Sequence, residues 1–181
     1  MSRKPGNSCL HILAEGADSI LLASLLPSIL EISSAELESN STRGYSPLGT
    51  AIVSGSIEAA RILLRYGADP YNSRPKRRAH ALHCCALYPS KMAVELAKEL
   101  LSQDPQCLEA RDDEGRTPLH CAAFREHNEM VELLIREGSK LITYDWEGYT
   151  PLGAAVSARS IRAVKQICNA LRRCHLPHTA W

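Results

Sequence analysis

The sequence predicts an all-α solenoid of about five helix-turn-helix units, and two observations carry that prediction. A run reading Thr117-Pro118-Leu119-His120-Cys121-Ala122-Ala123 recurs in weaker form four times. The other copies are Ser8-Cys9-Leu10-His11-Ile12-Leu13-Ala14, Ser46-Pro47-Leu48-Gly49-Thr50-Ala51-Ile52, His80-Ala81-Leu82-His83-Cys84-Cys85-Ala86 and Thr150-Pro151-Leu152-Gly153-Ala154-Ala155-Val156. Their leucines, Leu10, Leu48, Leu82, Leu119 and Leu152, stand 38, 34, 37 and 33 residues apart. A fixed period in this range marks a repeat array, in which each unit buries its face only on its neighbours and about three units are needed for stability.

The fourth unit has the cleanest copy and shows how each is built. Asp112-Asp113-Glu114-Gly115-Arg116 supplies a turn in which Gly115 can take a positive φ at little steric cost. Thr117 caps the first helix, and Pro118 stands at its first position, where a missing N–H is harmless. Leu119, Ala122 and Ala123 form the packing face, the alanines letting a second helix approach. That helix, 128–137, carries Val131, Leu133, Leu134 and Ile135 and stops at Gly138.

These residues, Thr-Pro-Leu-His-x-Ala at a period near 33, resemble the ankyrin-repeat family, and the resemblance runs from Lys4 to about Cys174. It implies one domain, 1–181, with repeats of about 3–40, 41–74, 75–111, 112–144 and 145–174 joined by β-hairpin-like fingers, and a tail at 175–181. It also implies that Thr117 and His120 hydrogen-bond within their repeat and to the next, about 1 kcal/mol each.

The remaining units follow in order. The first lacks a full finger and is expected to act as a starting cap, with 20–30 in its second helix; the extra residues at 33–40 are polar and expected to form an exposed loop. In the second, 57–66 forms the outer helix, and Pro70-Tyr71-Asn72 displaces by one place the asparagine that some family members hydroxylate. The third has Arg78 where the turn glycine belongs, which costs roughly 1 kcal/mol or more and predicts an irregular finger; it also carries extra residues at 102–107. Gly49 and Gly153 replace the motif histidine in the second and fifth units, predicting looser contacts there. The last outer helix, 161–173, places Val164, Ile167 and Leu171 on one face and Arg162, Lys165, Arg172 and Arg173 toward solvent. Trp181 either folds back over the end or belongs to something longer.

Composition narrows the function. Twenty-one basic and 20 acidic side chains give a net charge of +1, with no global steering toward nucleic acid or anionic membrane. Seven cysteines, an odd number, show no disulfide framework, and buried thiols suit a reducing compartment, cytoplasmic or nuclear. The apolar run 20–30 begins too late for a signal peptide and is far short of the ~20 residues that span a bilayer.

His83-Cys84-Cys85 and His120-Cys121 suggest zinc or a nucleophile. Structural zinc sites, however, use spaced cysteine pairs, and packing explains each of these residues. No signature of a hydrolase, kinase, P-loop or dinucleotide site is present. No cofactor, metal or small-molecule substrate is expected. The basic cluster Arg74-Pro75-Lys76-Arg77-Arg78 is read as a solvated loop, with a nuclear-import signal as the alternative.

In the family, proteins bind at finger tips and at the exposed side of the first helices. Carried over by position, that implies Thr42, Arg43, Tyr45, Val53 and Ser54 in the second unit, and Lys76, Arg77, Ala79, Leu87 and Tyr88 in the third. The fourth gives Asp113, Glu114, Arg116, Phe124 and Arg125, and the fifth Trp146, Glu147, Tyr149, Ser157 and Ala158. Five of the nine aromatics fall in this small set, and aromatics are enriched at hot spots. Tyr45 and Tyr149 either pack on a neighbouring finger or face a partner; Tyr88, Phe124 and Trp146 are read as anchors. The expected site is Tyr45, Lys76, Arg77, Tyr88, Asp113, Glu114, Phe124, Arg125, Trp146 and Tyr149, in a chain monomeric on its own. The expected function is a non-catalytic adaptor, inhibitor or scaffold. The alternatives are a ubiquitin-ligase substrate receptor, the repeat portion of a larger channel, kinase or transcription regulator, or, from another class, a metal protein or enzyme using His83, Cys84 and Cys121.

Overall fold

Serine or threonine followed by proline sets the start of the inner helices, and a computed structural model shows how the units then stack. It describes residues 7–16, 19–74 and 77–175. These residues form ten helices in five consecutive pairs: α1 (Cys9–Glu15) with α2 (Ser19–Ile32), α3 (Pro47–Ser54) with α4 (Ile57–Arg65), α5 (Ala81–Leu87) with α6 (Lys91–Gln103), α7 (Pro118–Phe124) with α8 (Asn128–Arg136), and α9 (Pro151–Ser157) with α10 (Ile161–His175). Each inner helix packs on the next inner helix and each outer helix on the next outer one. The all-α solenoid expected from the motif is the observed fold.

Local chemistry starts each inner helix. The Ser46 and Thr150 hydroxyls accept the N–H of Gly49 and Gly153 at 3.2 and 3.1 Å. At Thr117 a capping box forms, in which His120 takes the third helical place and its side chain reaches back to the cap. His80 substitutes for the cap hydroxyl by accepting the Leu82 N–H at Nδ1, 2.9 Å. Leu10, Leu48, Leu82 and Leu119 are fully buried with the small residues Ala51, Ala86, Ala122 and Ala123. Burial of each leucine contributes about 1.5–3 kcal/mol.

The fingers are closed by backbone bonds of one pattern. Ser41, Asp112 and Asp145 donate their N–H to the carbonyl four residues on, at Tyr45, Arg116 and Tyr149, over 2.8–3.1 Å. Gly44, Gly115 and Gly148 make the turn at φ 78°, 75° and 84°. The third finger departs as expected: Arg78 is forced to φ 48°, and the closing bond runs five residues, from Arg74 to Ala79. Neighbouring fingers join through Asp113 N–H to Arg77 O, 2.9 Å, and Trp146 N–H to Glu114 O, 3.0 Å.

Histidines tie each inner helix to the next finger. His11 Nε2 reaches the Tyr45 carbonyl at 2.9 Å, His83 Nε2 that of Arg116 at 2.9 Å, and His120 Nε2 that of Tyr149 at 3.1 Å. In His11 and His120, Nδ1 accepts the backbone N–H of Ser8 and Thr117, each at 3.2 Å. The proton therefore sits on Nε2, the nitrogen facing the next unit.

Two expectations are corrected. The polar segment at 33–40 and the extra residues after α6 are short 3₁₀ helices, Ser34–Glu38 and Pro105–Glu109, because each has an apolar group to bury, Leu37 and Cys107. The second unit is not looser where Gly49 replaces histidine. The Ser73 carbonyl approaches the bare glycine so closely that a Cβ there would lie 1.9 Å from its oxygen, and Ser46 N–H donates to that same oxygen at 3.1 Å. At Gly153 a Cβ would meet Tyr149 at an ordinary 3.4 Å. The first unit is an unusual cap, since Ile12 and Ile20 are exposed on it, while Cys84 and Cys121, at the motif position of Ile12, are buried. Trp181 and the rest of 176–181 lie outside the described residues.

Gly49→Ala is expected to destabilise the chain by about 2 kcal/mol, since the Ser73 backbone must move to admit the methyl group; urea denaturation measures this, and an unchanged midpoint contradicts it. A second expectation concerns acid. Burial holds His11, His83 and His120 below the ordinary 6.5 and brings His80 down to about 4. The unfolded chain therefore binds these protons more tightly. The contribution is whole above about pH 6.5 and is lost as pH falls from there through about 4. Urea midpoints recorded across that window should fall steadily, and a flat profile contradicts the buried neutral imidazoles.

Candidate partner-binding surface

Among the described residues, those the sequence singles out as partner contacts lie on the fingers, on the inner helices or at their C-terminal ends, but the structure divides them. Tyr45 is only 5% exposed, its hydroxyl 2.8 Å from that of Tyr88 and its ring 4.7 Å under the Arg74 guanidinium. A ring so enclosed offers a partner no surface, which corrects its reading as a contact residue. Burial, with the bond to Tyr88, raises the Tyr45 hydroxyl above the usual tyrosine range. Tyr88 is half-buried beside it. Lys76 lies outside the described residues.

The charged residues are partly engaged within the chain. Arg77 pairs with Glu114, and Glu114 also pairs with Arg116 at 2.6 Å. Arg116 in turn binds buried Asp112 at 2.7 Å. Arg125 is exposed, yet its Nε donates back to the Leu87 carbonyl of the preceding unit at 3.0 Å. Asp113 is exposed at the finger tip.

Three of the aromatics that the sequence singles out remain open, all in the fourth and fifth units: Phe124 at 50% exposure, Trp146 at 70% and Tyr149 at 48%; Tyr144, outside that set, is exposed as well. Phe124 ends α7, where the helix stops short of the turn to α8. Trp146 stands at the tip of the fifth finger and lies against Gly115 of the fourth. A Cβ at Gly115 would come within 2.6 Å of its indole, so glycine serves there both the turn and the close approach. The Arg111 guanidinium is 5.6 Å from the Trp146 ring and donates to the Gly115 and Tyr144 carbonyls, fixing that arrangement.

Phe124 and Tyr149 border a recess of about 290 Å³ between the two units. Its floor includes His120 and Ala154, and carboxylates of Glu114, Asp145 and Glu147 stand around it with Arg116. Asp145 shapes its own finger by accepting the N–H groups of Glu147 and Tyr149 at 3.1 and 2.8 Å, as Asp112 does for Glu114 and Arg116. The sequence reading missed Asp145, Ala154 and His120 as parts of the surface. For Asp145 the signal was present, as the Asp-x-x-Gly spacing shared by 112–115 and 145–148.

Buried thiols stand apart from this surface. Desolvation pushes Cys84 and Cys121 up to about 12, and His83 uses Nε2 on the Arg116 carbonyl. Among the described residues no group of three or more His, Cys, Asp or Glu side chains is placed to hold a metal ion, and no helix is long and apolar enough to cross a membrane.

Comparison with known proteins agrees with the geometry. A family model described as "Ankyrin repeats (3 copies)" matches residues 82–176, and one described as "Ankyrin repeat" matches 43–71. The B-cell lymphoma 3 protein homolog of Mus musculus is 26% identical over 161 residues, 88% of this chain and 36% of that protein. The transient receptor potential cation channel subfamily A member 1 of Drosophila melanogaster is 28% identical over 127 residues, 68% of this chain and 10% of the channel. The target of rapamycin complex 2 subunit AVO2 of Saccharomyces cerevisiae is 28% identical over 130 residues, 72% and 30% respectively. The chain thus spans between 10% and 36% of these relatives' lengths.

Proposed function

The chain belongs to the ankyrin-repeat family, whose arrays are protein–protein interaction modules, and from that premise we propose that it is a non-catalytic adaptor, inhibitor or scaffold. Its partner lies across the fingers and inner helices of the fourth and fifth units. The observation that supports this reading is the exposure of Phe124, Trp146 and Tyr149 on adjoining units, when Tyr45 is buried and Tyr88 is half-buried against it. Asp113 and the carboxylates of the recess order the partner by charge, and Arg77 does so only through its pair with Glu114. Free thiols suit action in the cytoplasm or nucleus. The relatives bear the names of a cation channel, a B-cell lymphoma 3 protein homolog and a target of rapamycin complex 2 subunit, so similar repeats occur in proteins of different names and settings. Which of these settings applies is a matter of the partner, because the fold supplies a platform and a few surface residues choose what it holds.

Affinity capture with mass spectrometry tests the surface. The wild-type chain and a Phe124→Ala, Trp146→Ala, Tyr149→Ala variant, matched in circular dichroism, are used as baits. Proteins retained by the wild type are expected to be lost on the variant, by at least ~100-fold if the three side chains act as hot spots of about 1–2 kcal/mol each. Recovery of the same proteins at the same level by both baits places the partner elsewhere.

A further inference from the structure

We infer that the recess between the fourth and fifth units receives the side chain of a lysine or arginine, flanked by apolar residues, from an extended segment of the partner protein. The inference rests on the proposed surface and names the chemistry of what it holds.

Size is the first argument. At about 290 Å³ the recess falls just below the range of drug-sized ligand sites, roughly 300–1,000 Å³, and suits one long side chain. Charge is the second. Arg116, the basic residue of the lining, is neutralised by Asp112 and Glu114. Asp145 and Glu147 form no ion pair with any described residue, although Asp145 spends one oxygen on its own finger. Burial holds His120 below the ordinary histidine value, although its bond to the Tyr149 carbonyl pulls the other way. The recess therefore presents two carboxylates without an ion-pair partner among the described residues, beside two half-exposed rings, Phe124 and Tyr149, whose faces also attract cations.

The chain itself supplies the third argument. Tyr45 and Tyr149 hold the same place in their units, directly before the cap residues Ser46 and Thr150. Tyr45 is covered by the Arg74 guanidinium, at 4.7 Å from its ring, an arginine contributed by the next finger. Among the described residues no guanidinium covers Tyr149, which stands 48% exposed. A partner cation in the recess would give Tyr149 the contact that Arg74 gives Tyr45, with Asp145 and Glu147 as its counter-charges. The alkyl part of a lysine or arginine would lie along Phe124 and Ala154.

Random dodecapeptides displayed on phage and selected on the full chain provide the probe, with affinities of the synthesised winners measured by fluorescence anisotropy. Winners are expected to carry lysine or arginine beside apolar residues and to lose binding to Phe124→Ala. They should also weaken about tenfold on the Asp145→Asn, Glu147→Gln double variant, which keeps the finger's hydrogen-bond acceptor. Glu147→Gln alone, at an exposed position, gives the same direction should the double variant fold poorly. Winners that need Phe124 but are acidic or uncharged, or that ignore both carboxylate variants, overturn the cation and leave the surface standing. Winners indifferent to Phe124→Ala overturn the surface as well.

Discussion

A neutral imidazole carries one donor and one acceptor, and two inner helices of this chain use both while a third uses the donor alone. In the first and fourth units Nδ1 accepts the N–H at the start of its own helix, while Nε2 donates to the carbonyl that closes the next finger. In the third, His83 makes the same outward bond. Each bond is worth only about 1 kcal/mol net, yet it is made in a desolvated place, where leaving either group unpaired costs about 1–3 kcal/mol. A stack whose units touch only their neighbours depends on such links, which act with the backbone bonds from Asp113 to Arg77 and from Trp146 to Glu114 to fix one finger on the next. The pairing also makes the array sensitive to protons, since a second proton on Nδ1 would point at a backbone N–H.

These ties hold the candidate site. His83 secures Arg116, which closes the fourth finger, and His120 secures Tyr149, which closes the fifth; both carbonyls belong to residues that line the recess. The walls are therefore set by the neighbouring unit's histidine together with the finger's own Asp112 or Asp145. Between the second and third units the histidine is absent, and there the link is the Ser73 carbonyl lowered onto Gly49. That is also where the finger carries its forced turn at Arg78 and where Tyr45, Tyr88 and Arg74 close over one another. The open aromatic surface falls where His83 ties the third unit to the fourth and His120 ties the fourth to the fifth.

The sequence made legible whatever depends on residues within one unit: the caps, the leucine and alanine core, the strained turn at Arg78, and the structural role of Thr117 and His120. It was silent on what depends on two units at once. Tyr45 and Tyr149 are alike in local pattern, and it is Arg74 and Tyr88 of the adjoining unit that close over the first, while the second stays open. Gly49 reads as a lost histidine, whereas its use is to admit a backbone carbonyl. Polarity at 33–40 and the extra length at 102–107 mark insertions but conceal that Leu37 and Cys107 are drawn inward. Asp145 was passed over because carry-over by family position favoured its neighbours Trp146 and Glu147.

The central claim is that neutral Nε2-protonated histidines register one unit on the next and so build the recess. Long-range ¹H–¹⁵N correlation of the ring nitrogens at neutral pH tests it most directly. His11, His83 and His120 should each show a protonated Nε2 and a bare Nδ1, with His120 keeping that state below the ordinary histidine pKa. A proton on Nδ1 of His120, or an imidazolium titrating at about 6.5 as in an unfolded peptide, would contradict the account.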